Sequence, residues 1–169
     1  MKLEKQFVSK DNSLYTLDGS ECSMQNIPVL NASSCADVEN AGNVSSFSCI
    51  ELPWTLVGCD EDSYNEEFLA GFRDFLKVLE ERRLYVFIIP SADRMPSSQE
   101  EKDAFVASMK HCARRIKDCA SVVGFAVPSA DIGINSSFFI EELSQKHGHY
   151  VFFSKEDSIL TDKSIVKFV

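Results

Sequence analysis

Three apolar segments of the chain each end in a proline, and the spacing between them is nearly constant. The segments are Ser48–Pro53, Tyr85–Pro90 and Val123–Pro128, and the intervals between the prolines are 37 and 38 residues. Each is short, rich in β-branched and aromatic residues and nearly free of polar alternation, as in parallel strands covered on both faces. Proline ends a strand because it has no N–H to donate to a neighbour. The pattern predicts parallel strands whose carboxyl ends share one edge of a sheet.

Segments with helical periodicity fill the intervals between these strands. Two of them carry capping-box signals, Ser63 with Glu66 and Ser98 with Glu101, ahead of apolar stripes at helical spacing. Strands that alternate with helices predict an α/β fold made of parallel β-α units. The predicted helices are Tyr64–Arg83, Glu100–Cys119 and Ser136–His147, and the predicted later strands are Tyr150–Phe153 and Ile165–Val169.

The segment before these repeats has a different pattern. Two short apolar runs, separated by Asp11-Asn-Ser13 and followed by Asp18-Gly19, predict a β-hairpin within residues 1–20. The β-α repeats then occupy residues 24–169. Because no linker or low-complexity segment interrupts them, we expect residues 1–169 to form a single α/β domain.

Length, charge and composition narrow the classes of partner. The 169 residues are 44% hydrophobic and include 13 Phe, which predicts a packed core. The formal net charge is -9, and an acidic protein repels phosphate backbones, so we expect no nucleic-acid partner. The first residues lack the apolar stretch and the cleavage site expected of a secretory leader, and no apolar run reaches the ~18 residues of a membrane span. We therefore expect a soluble cytoplasmic protein without a membrane partner, or a secreted one if a leader was removed.

The N-terminal hairpin favours one α/β architecture over another. From the residues alone the fold is either an open, flavodoxin-like sheet or part of a (β/α) barrel. The hairpin (Phe7–Asp11 and Leu14–Gly19), the strand Gln25–Pro28, the segment Glu51–Trp54 and the later strand Leu84–Pro90 follow one another in an order that resembles family 5 glycoside hydrolases, the cellulase and mannanase type of TIM barrel. The resemblance implies a partial TIM-barrel-like fold and a carbohydrate ligand.

The sequence departs from that family at the positions that matter for hydrolysis. The family's fourth strand leads into Asn-Glu-Pro, whose Glu is the general acid/base, and the matching residues here are Ser129-Ala130-Asp131. Ala130 cannot transfer a proton. The family's nucleophile is a Glu on the seventh strand, whereas this chain ends after the fifth or sixth. A closed eight-stranded barrel needs about 250 residues, so we expect an incomplete barrel whose open edges are covered by helices or by a second copy.

Residues at the carboxyl ends of the strands are the candidate ligand contacts, because sites in parallel α/β folds lie there. Trp54 would stack on a sugar ring, and Ser91, Arg94 and Ser129 would bind its hydroxyl groups. The alternative for Trp54 is that it covers the end of the core. Ser154, Glu156 and Asp157 follow the last predicted helix on the same edge.

Three carboxylates on this edge are candidate catalytic groups. Asp93 and Asp131 occupy equivalent places after two of the strands and would form an acid/base pair. The alternative is that each caps the turn that follows its strand, as Asp often does. Glu51 lies within an apolar segment, where it would face the barrel mouth or pair with a cation such as Arg94.

Metal and nucleotide cofactors are not indicated. His147 and His149 lack further metal ligands in the sequence, and a cationic imidazole near a helix end is favourable without a metal. The glycine spacing matches no phosphate-binding loop. We therefore expect neither a metal nor a cofactor.

These observations support three hypotheses on function. The first is a glycoside-hydrolase-like domain that does not catalyse hydrolysis and serves carbohydrate binding or protein interaction. The second is an active small glycoside hydrolase that uses carboxylates at the strand ends. The third is a flavodoxin-like regulatory domain, which a doubly wound strand order would favour.

Overall fold

The computed structural model describes residues 2–169, which contain two β-sheets and four α-helices. The strands are β1 (Phe7–Lys10), β2 (Ser13–Thr16), β3 (Glu21–Cys22), β4 (Val29–Asn31), β5 (Phe47–Pro53), β6 (Tyr85–Ser91), β7 (Val122–Ala126), β8 (Val151–Ser154) and β9 (Val166–Lys167). The α-helices are α1 (Trp54–Val57), α2 (Glu66–Glu81), α3 (Gln99–Arg115) and α4 (Ser136–Ser144). Short 3-10 helices span Ala32–Ala36, Val38–Asn43, Glu61–Ser63 and Ala130–Ile132.

Six strands form one parallel sheet in the order β4-β5-β6-β7-β8-β9. Neighbours in space are therefore neighbours in sequence, as in a barrel, and the doubly wound order of the flavodoxin-like hypothesis is wrong. Leu52 pairs with Pro90 and Ala126 pairs with Phe153, so the carboxyl ends of β5 to β8 lie at the same edge. The predicted α/β fold of parallel β-α units with an N-terminal hairpin is confirmed.

The two faces of the parallel sheet contribute to two separate hydrophobic cores. Alternate strand residues such as Ile50, Val86 and Ile88 pack against α2, α3 and α4, because right-handed crossovers in sequential order place these helices on one face. Cys49 and Phe87 point to the opposite face. We call the core on that face the inner core, and its buried members are Phe7, Leu14, Met24, Cys49, Phe87, Val123, Ala126, Val151, Phe153, Val166 and Phe168.

The N-terminal strands β1, β2 and β3 form an antiparallel sheet that contributes to the inner core. Phe7 contacts Tyr85 edge-to-face with ring centroids 5.0 Å apart, and Phe47 at 6.2 Å. Both of these partners lie at the amino ends of their strands, so the hairpin closes that end of the sheet. The opposite, carboxyl end is left accessible.

The six strands do not form a closed barrel, but their open side is bridged by backbone hydrogen bonds. The N–H of Val169 donates to the carbonyl of Met24 (3.0 Å), and the N–H of Asn26 donates to the carbonyl of Val169 (3.2 Å). This is the pattern of a parallel bridge. Within residues 2–169 the gap is thus narrowed by the segment before β4, and the expectation of helices across it is wrong.

The start of α2 differs from the capping box expected of Ser63 and Glu66. Ser63 ends the 3-10 helix Glu61–Ser63, and the side chain of Asn65 accepts a hydrogen bond from the N–H of Phe68 (3.1 Å). The capping-box prediction is therefore wrong, although the helix itself is confirmed. Asn is as good a cap as Ser, so the stabilisation is of the same kind.

No helix within residues 2–169 combines the length and the apolar character needed to cross a membrane. All six cysteines are free thiols, and Cys35, Cys49, Cys112 and Cys119 are buried. Burial raises the pKa of Cys35 and of Cys49 to about 11. These thiols are consequently neutral near pH 7.

His147 follows α4 and is not the exposed cation that its position near a helix end suggested. Its side chain stacks on Tyr150 with ring centroids 5.2 Å apart, and the residue is only 6% exposed. Burial lowers the pKa of His147 from 6.5 to about 4, with smaller effects of His149, Lys117 and Lys146. The imidazole is therefore neutral at pH 7.

We expect the protein to lose stability between pH 6.5 and pH 5. The unfolded imidazole of His147 binds a proton near pH 6.5 whereas the folded one does so near pH 4, so protons favour the unfolded chain in this window. The free energy of unfolding should fall by about 1 kcal/mol over it, because the window covers only part of the interval between the two pKa values. Urea denaturation of the wild type and of His147→Gln measures this loss. Equal pH slopes in the two proteins would contradict the role of His147.

Candidate functional site

A hollow of about 500 Å³ lies at the carboxyl edge of the parallel sheet, on the side of the inner core. It therefore occupies the place of a barrel mouth. Its apolar lining includes Val29, Ile89, Met95 and Phe168. Its polar lining includes Glu51, Ser91, Ser129, Asp131, Ser154, Lys155 and Glu156. Carboxylates and hydroxyl groups from β5, β6 and β8 and from the segment after β7 thus meet at one edge.

Two carboxylates of the hollow are linked through one hydroxyl group. Ser129 Oγ donates to Asp131 Oδ1 and lies 3.5 Å from Glu156 Oε1. Because both carboxylate oxygens lie this close to the one Ser129 oxygen, they are within about 6 Å of each other. Glu156 Oε1 also accepts from the N–H of Ala130 (2.8 Å), and Ser154 Oγ accepts from the N–H of Glu156 (3.1 Å). The loops after β7 and β8 are joined by this network.

Glu51 stands apart from the linked pair. It pairs in register with Asn31 and Ile89, and its side chain is exposed at the hollow. Within residues 2–169 it forms neither a hydrogen bond nor an ion pair, so the predicted partnership with Arg94 is wrong. An accessible carboxylate in a concave site is a ready acceptor for a ligand's hydroxyl or ammonium group.

Trp54 does not line the hollow, and the expectation that its ring stacks on a sugar is wrong. The chain turns after Pro53 into the single-turn helix α1. The Trp54 side chain packs into the core between the parallel sheet and the helices, and it is 1% exposed. Its ring contacts Phe105 edge-to-face at 5.5 Å. Trp54 therefore covers the end of the core, which was the alternative considered for it.

Asp93 and Arg94 also lie outside the hollow. Asp93 accepts hydrogen bonds from the N–H and the hydroxyl group of Thr55 in the first turn of α1. Arg94 pairs with Glu101 and lies over the Trp54 ring, with 5.5 Å between the guanidinium carbon and the ring centroid. Asp93 thus caps a neighbouring turn, and the proposed pair of Asp93 with Asp131 does not exist.

Of the predicted site residues, the hollow contains Glu51, Ser91, Ser129 and Asp131. Glu156 is the main residue that sequence reasoning left without a role. It follows β8, and one of its carboxylate oxygens, Oε2, is buried without a partner among residues 2–169. The available signal was its position after a predicted strand, on the edge where Ser129 and Asp131 were expected. Lys155 at the same strand end lies over the ring of Phe168 at 5.0 Å.

Metal coordination has no support in the arrangement of the described residues. Residues 2–169 contain no group of three or more His, Cys, Asp or Glu side chains placed to hold one ion. The chemistry of the hollow is therefore that of carboxylates, serine hydroxyl groups and one lysine.

The fold is similar to parts of two solved glycosidase structures. An exo-β-1,4-mannosidase from the Opitutaceae bacterium strain TAV5 matches with a TM-score of 0.58 and 11% identity, over 87% of this chain and 34% of that chain. A β-mannanase from the blue mussel Mytilus edulis matches with a TM-score of 0.56 and 8% identity, over 89% of this chain and 63% of that chain. This chain thus spans less than two thirds of either enzyme.

No known protein-family profile and no curated protein sequence matches the chain. At 11% and 8% identity the likeness concerns the fold alone. The strand order, the N-terminal hairpin and these superpositions agree with one another. The resemblance to a mannanase-type barrel is confirmed at the level of the fold, and the chain has the architecture of a partial (β/α) barrel.

Proposed function

We propose that the chain is a carbohydrate-binding domain that does not hydrolyse its ligand. The observation that supports this most directly is the hollow at the carboxyl edge of the sheet. Its volume of about 500 Å³ falls within the usual range for small-molecule sites. Both superposed enzymes are named for β-mannosides, so the ligand class that we propose is a β-mannose oligomer or a related neutral glycan.

The lining of the hollow suits a neutral sugar. Glu51, Asp131 and the serines 91, 129 and 154 supply acceptors and hydroxyl groups for a ligand that is itself rich in hydroxyl groups. Ile89 and Met95 supply apolar surface for the C–H face of a ring. Since Trp54 is buried, no large exposed ring assists, and we expect affinities in the micromolar to millimolar range.

The carboxylates of the hollow already have structural roles, which disfavours hydrolysis. Retaining glycosidases need two carboxyl groups about 5 Å apart, one of which gives up or accepts a proton. Asp131 and Glu156 are close enough, but Asp131 accepts the hydrogen bond of the Ser129 hydroxyl group, and Glu156 accepts from the N–H of Ala130. Ala130 stands where the resemblance would put the acid/base Glu. The pair is therefore assigned to holding two loops together.

We expect the wild-type protein to bind β-1,4-manno-oligosaccharides and Glu51→Gln to bind them about tenfold more weakly, the usual loss when a charged acceptor is removed. Isothermal titration calorimetry measures both affinities. Glu81→Gln, an exposed change at the end of α2, is the matched control and should bind as the wild type does. A wild type that binds no member of a broad glycan panel at millimolar concentration would overturn the proposal.

The second candidate function is hydrolysis by Asp131 and Glu156, and their close approach is the observation that favours it. The same glycan panel distinguishes the two functions, because turnover releases reducing sugar and binding does not. Turnover that disappears in Asp131→Asn would replace the first candidate by the second.

A further inference from the structure

A groove bordered by α3 lies on the outer surface of the helices and shares no lining residue with the hollow. Its volume is about 620 Å³, and Tyr64 borders it on one side and Gln145 and Lys146 on the other. Ala104 and Ala107 lie midway along the α3 residues that line it, and Ala107 is exposed. Small residues at the centre of an exposed helix face allow another helix to approach closely.

The residues of α3 that line this groove are arranged symmetrically about Ala107. Glu100 lies seven positions before it and Arg114 seven positions after it, while Asp103 and His111 lie four before and four after. Offsets of four and seven fall on a single stripe of an α-helix. The stripe therefore has an acidic end at Glu100 and a basic end at Arg114.

When a second copy is related to the first by a two-fold rotation, the charges of the two stripes are complementary. A two-fold axis through Ala107 would lay two α3 helices antiparallel and place Glu100 of each copy opposite Arg114 of the other. Asp103 and His111 add no second intersubunit pair, because His111 Nε2 already contacts Glu66 and its ring stacks on Tyr64. A two-fold interface uses one patch on both subunits, so that patch must be self-complementary.

The helix dipole alone favours acidic residues at the start and basic residues at the end of a helix, so the order of charges does not by itself specify a partner. The ion pairs within the chain show which charges near the groove already have a partner. Lys110 pairs with Glu142, Arg115 pairs with Glu66, and His111 Nε2 lies 2.6 Å from Glu66 Oε1. Within residues 2–169 neither Glu100 nor Arg114 has an ion-pair partner, although both line the groove. Glu100 and Arg114, at the two ends of the stripe, are therefore available to pair with a second copy.

We propose that the outer face of α3 is a homodimer interface in which two copies pack antiparallel about Ala107. Glu100 and Arg114 form two equivalent intersubunit ion pairs. Ala104 and Ala107 provide the close contact at the centre. This interface is independent of the hollow, so carbohydrate binding and dimer formation can fail separately.

The test is a charge swap followed by analytical ultracentrifugation from micromolar to millimolar protein. Glu100→Lys and Arg114→Glu should each weaken the dimer by at least about tenfold, since the symmetry makes every reversal act twice. The double variant should recover wild-type affinity to within about threefold, because both pairs are restored with opposite sign. Lys117→Glu, which reverses an exposed charge close to Arg114 but outside the groove, is the control and should dimerise normally.

Rescue in the double variant cannot come from helix stability. Both reversals oppose the dipole of α3, so their effects on the unfolding temperature should add while their effects on dimerisation cancel. Thermal unfolding of each variant records the first quantity. A wild type that remains monomeric over the whole concentration range, or a double variant as weak as the single ones, would overturn the proposal.

Discussion

Replacing Gly124 by alanine is expected to destabilise the protein by at least about 3 kcal/mol, more than ordinary overpacking of a core costs. Gly124 lies in β7, paired with Val151 of β8. A Cβ at this position would lie 1.7 Å from the carbonyl oxygen of Val151 and 2.8 Å from its nitrogen. Both atoms belong to the backbone, so no side-chain rotation relieves the clash. β7 and β8 would have to separate.

Urea denaturation of Gly124→Ala measures this loss directly. Gly148→Ala is the matched control, because a Cβ there meets nothing within 4 Å, and its effect should stay within about 0.5 kcal/mol. The segments that follow β7 and β8 carry Ser129 and Glu156, so we also expect the variant to bind sugars poorly. Equal stabilities of the two glycine variants would show that the strands do not approach so closely.

Replacing Phe87 by alanine is expected to cost about 3 to 5 kcal/mol, the usual range for truncating a buried aromatic side chain. Phe87 is fully buried at the centre of the inner core. Its ring stacks on Phe153 with centroids 4.1 Å apart and meets Phe168 edge-to-face at 4.9 Å. Truncation therefore leaves a cavity among aromatic rings that hold β6, β8 and the C-terminal residues together.

Chemical denaturation also checks the Phe87 prediction, with Phe138→Ala as the matched control. Phe138 is an aromatic residue of α4 that is 41% exposed, so its truncation should cost about 1 kcal/mol or less. If both Phe variants lost the same stability, the inner core would not contribute as its packing suggests.

The strands and helices were accessible to sequence reasoning because their patterns are local. Proline marks the carboxyl ends of β5 and β6, and Ser98 caps α3 with its hydroxyl oxygen accepting from the N–H of Glu101, as predicted. The side chain of Glu101 accepts from the N–H of Ser97 instead of Ser98. The local signals thus predicted α3 correctly, but they assigned the Glu101 side chain to an N–H donor one residue away from the actual one.

The site was only partly predictable, because side-chain direction after a strand depends on the turn that follows. Glu51 lies within β5, so its alternation with Cys49 fixes the face on which it lies. Trp54 comes one residue after the strand, and helix α1 carries it to the opposite face. Strand alternation favours this outcome, because Ile50 and Leu52 lie on the same face as Trp54. Asp93 was misassigned because its partner Thr55 lies in α1, 38 residues earlier in the chain.

The contacts of Glu156 could not be predicted for a different reason: they join loops that are far apart in the sequence. Its partners Ser129 and Ala130 precede it by more than twenty residues. Parallel β7 and β8 bring the two loops together, but which oxygen accepts from which donor depends on the paths of both loops. Strand order is readable from a repeat, whereas such loop contacts follow only from the folded coordinates.

The contacts between the two ends of the chain have a consequence for its synthesis. Asn12 donates its backbone N–H to Lys163 and accepts from the N–H of Lys167, while Met24 and Asn26 pair with Val169. During synthesis residues 12–26 are made long before residues 163–169, and closing so long a loop is slow. Until then the aromatic side chains around Phe87 stay open to water, and we expect the nascent chain to need chaperone protection against aggregation.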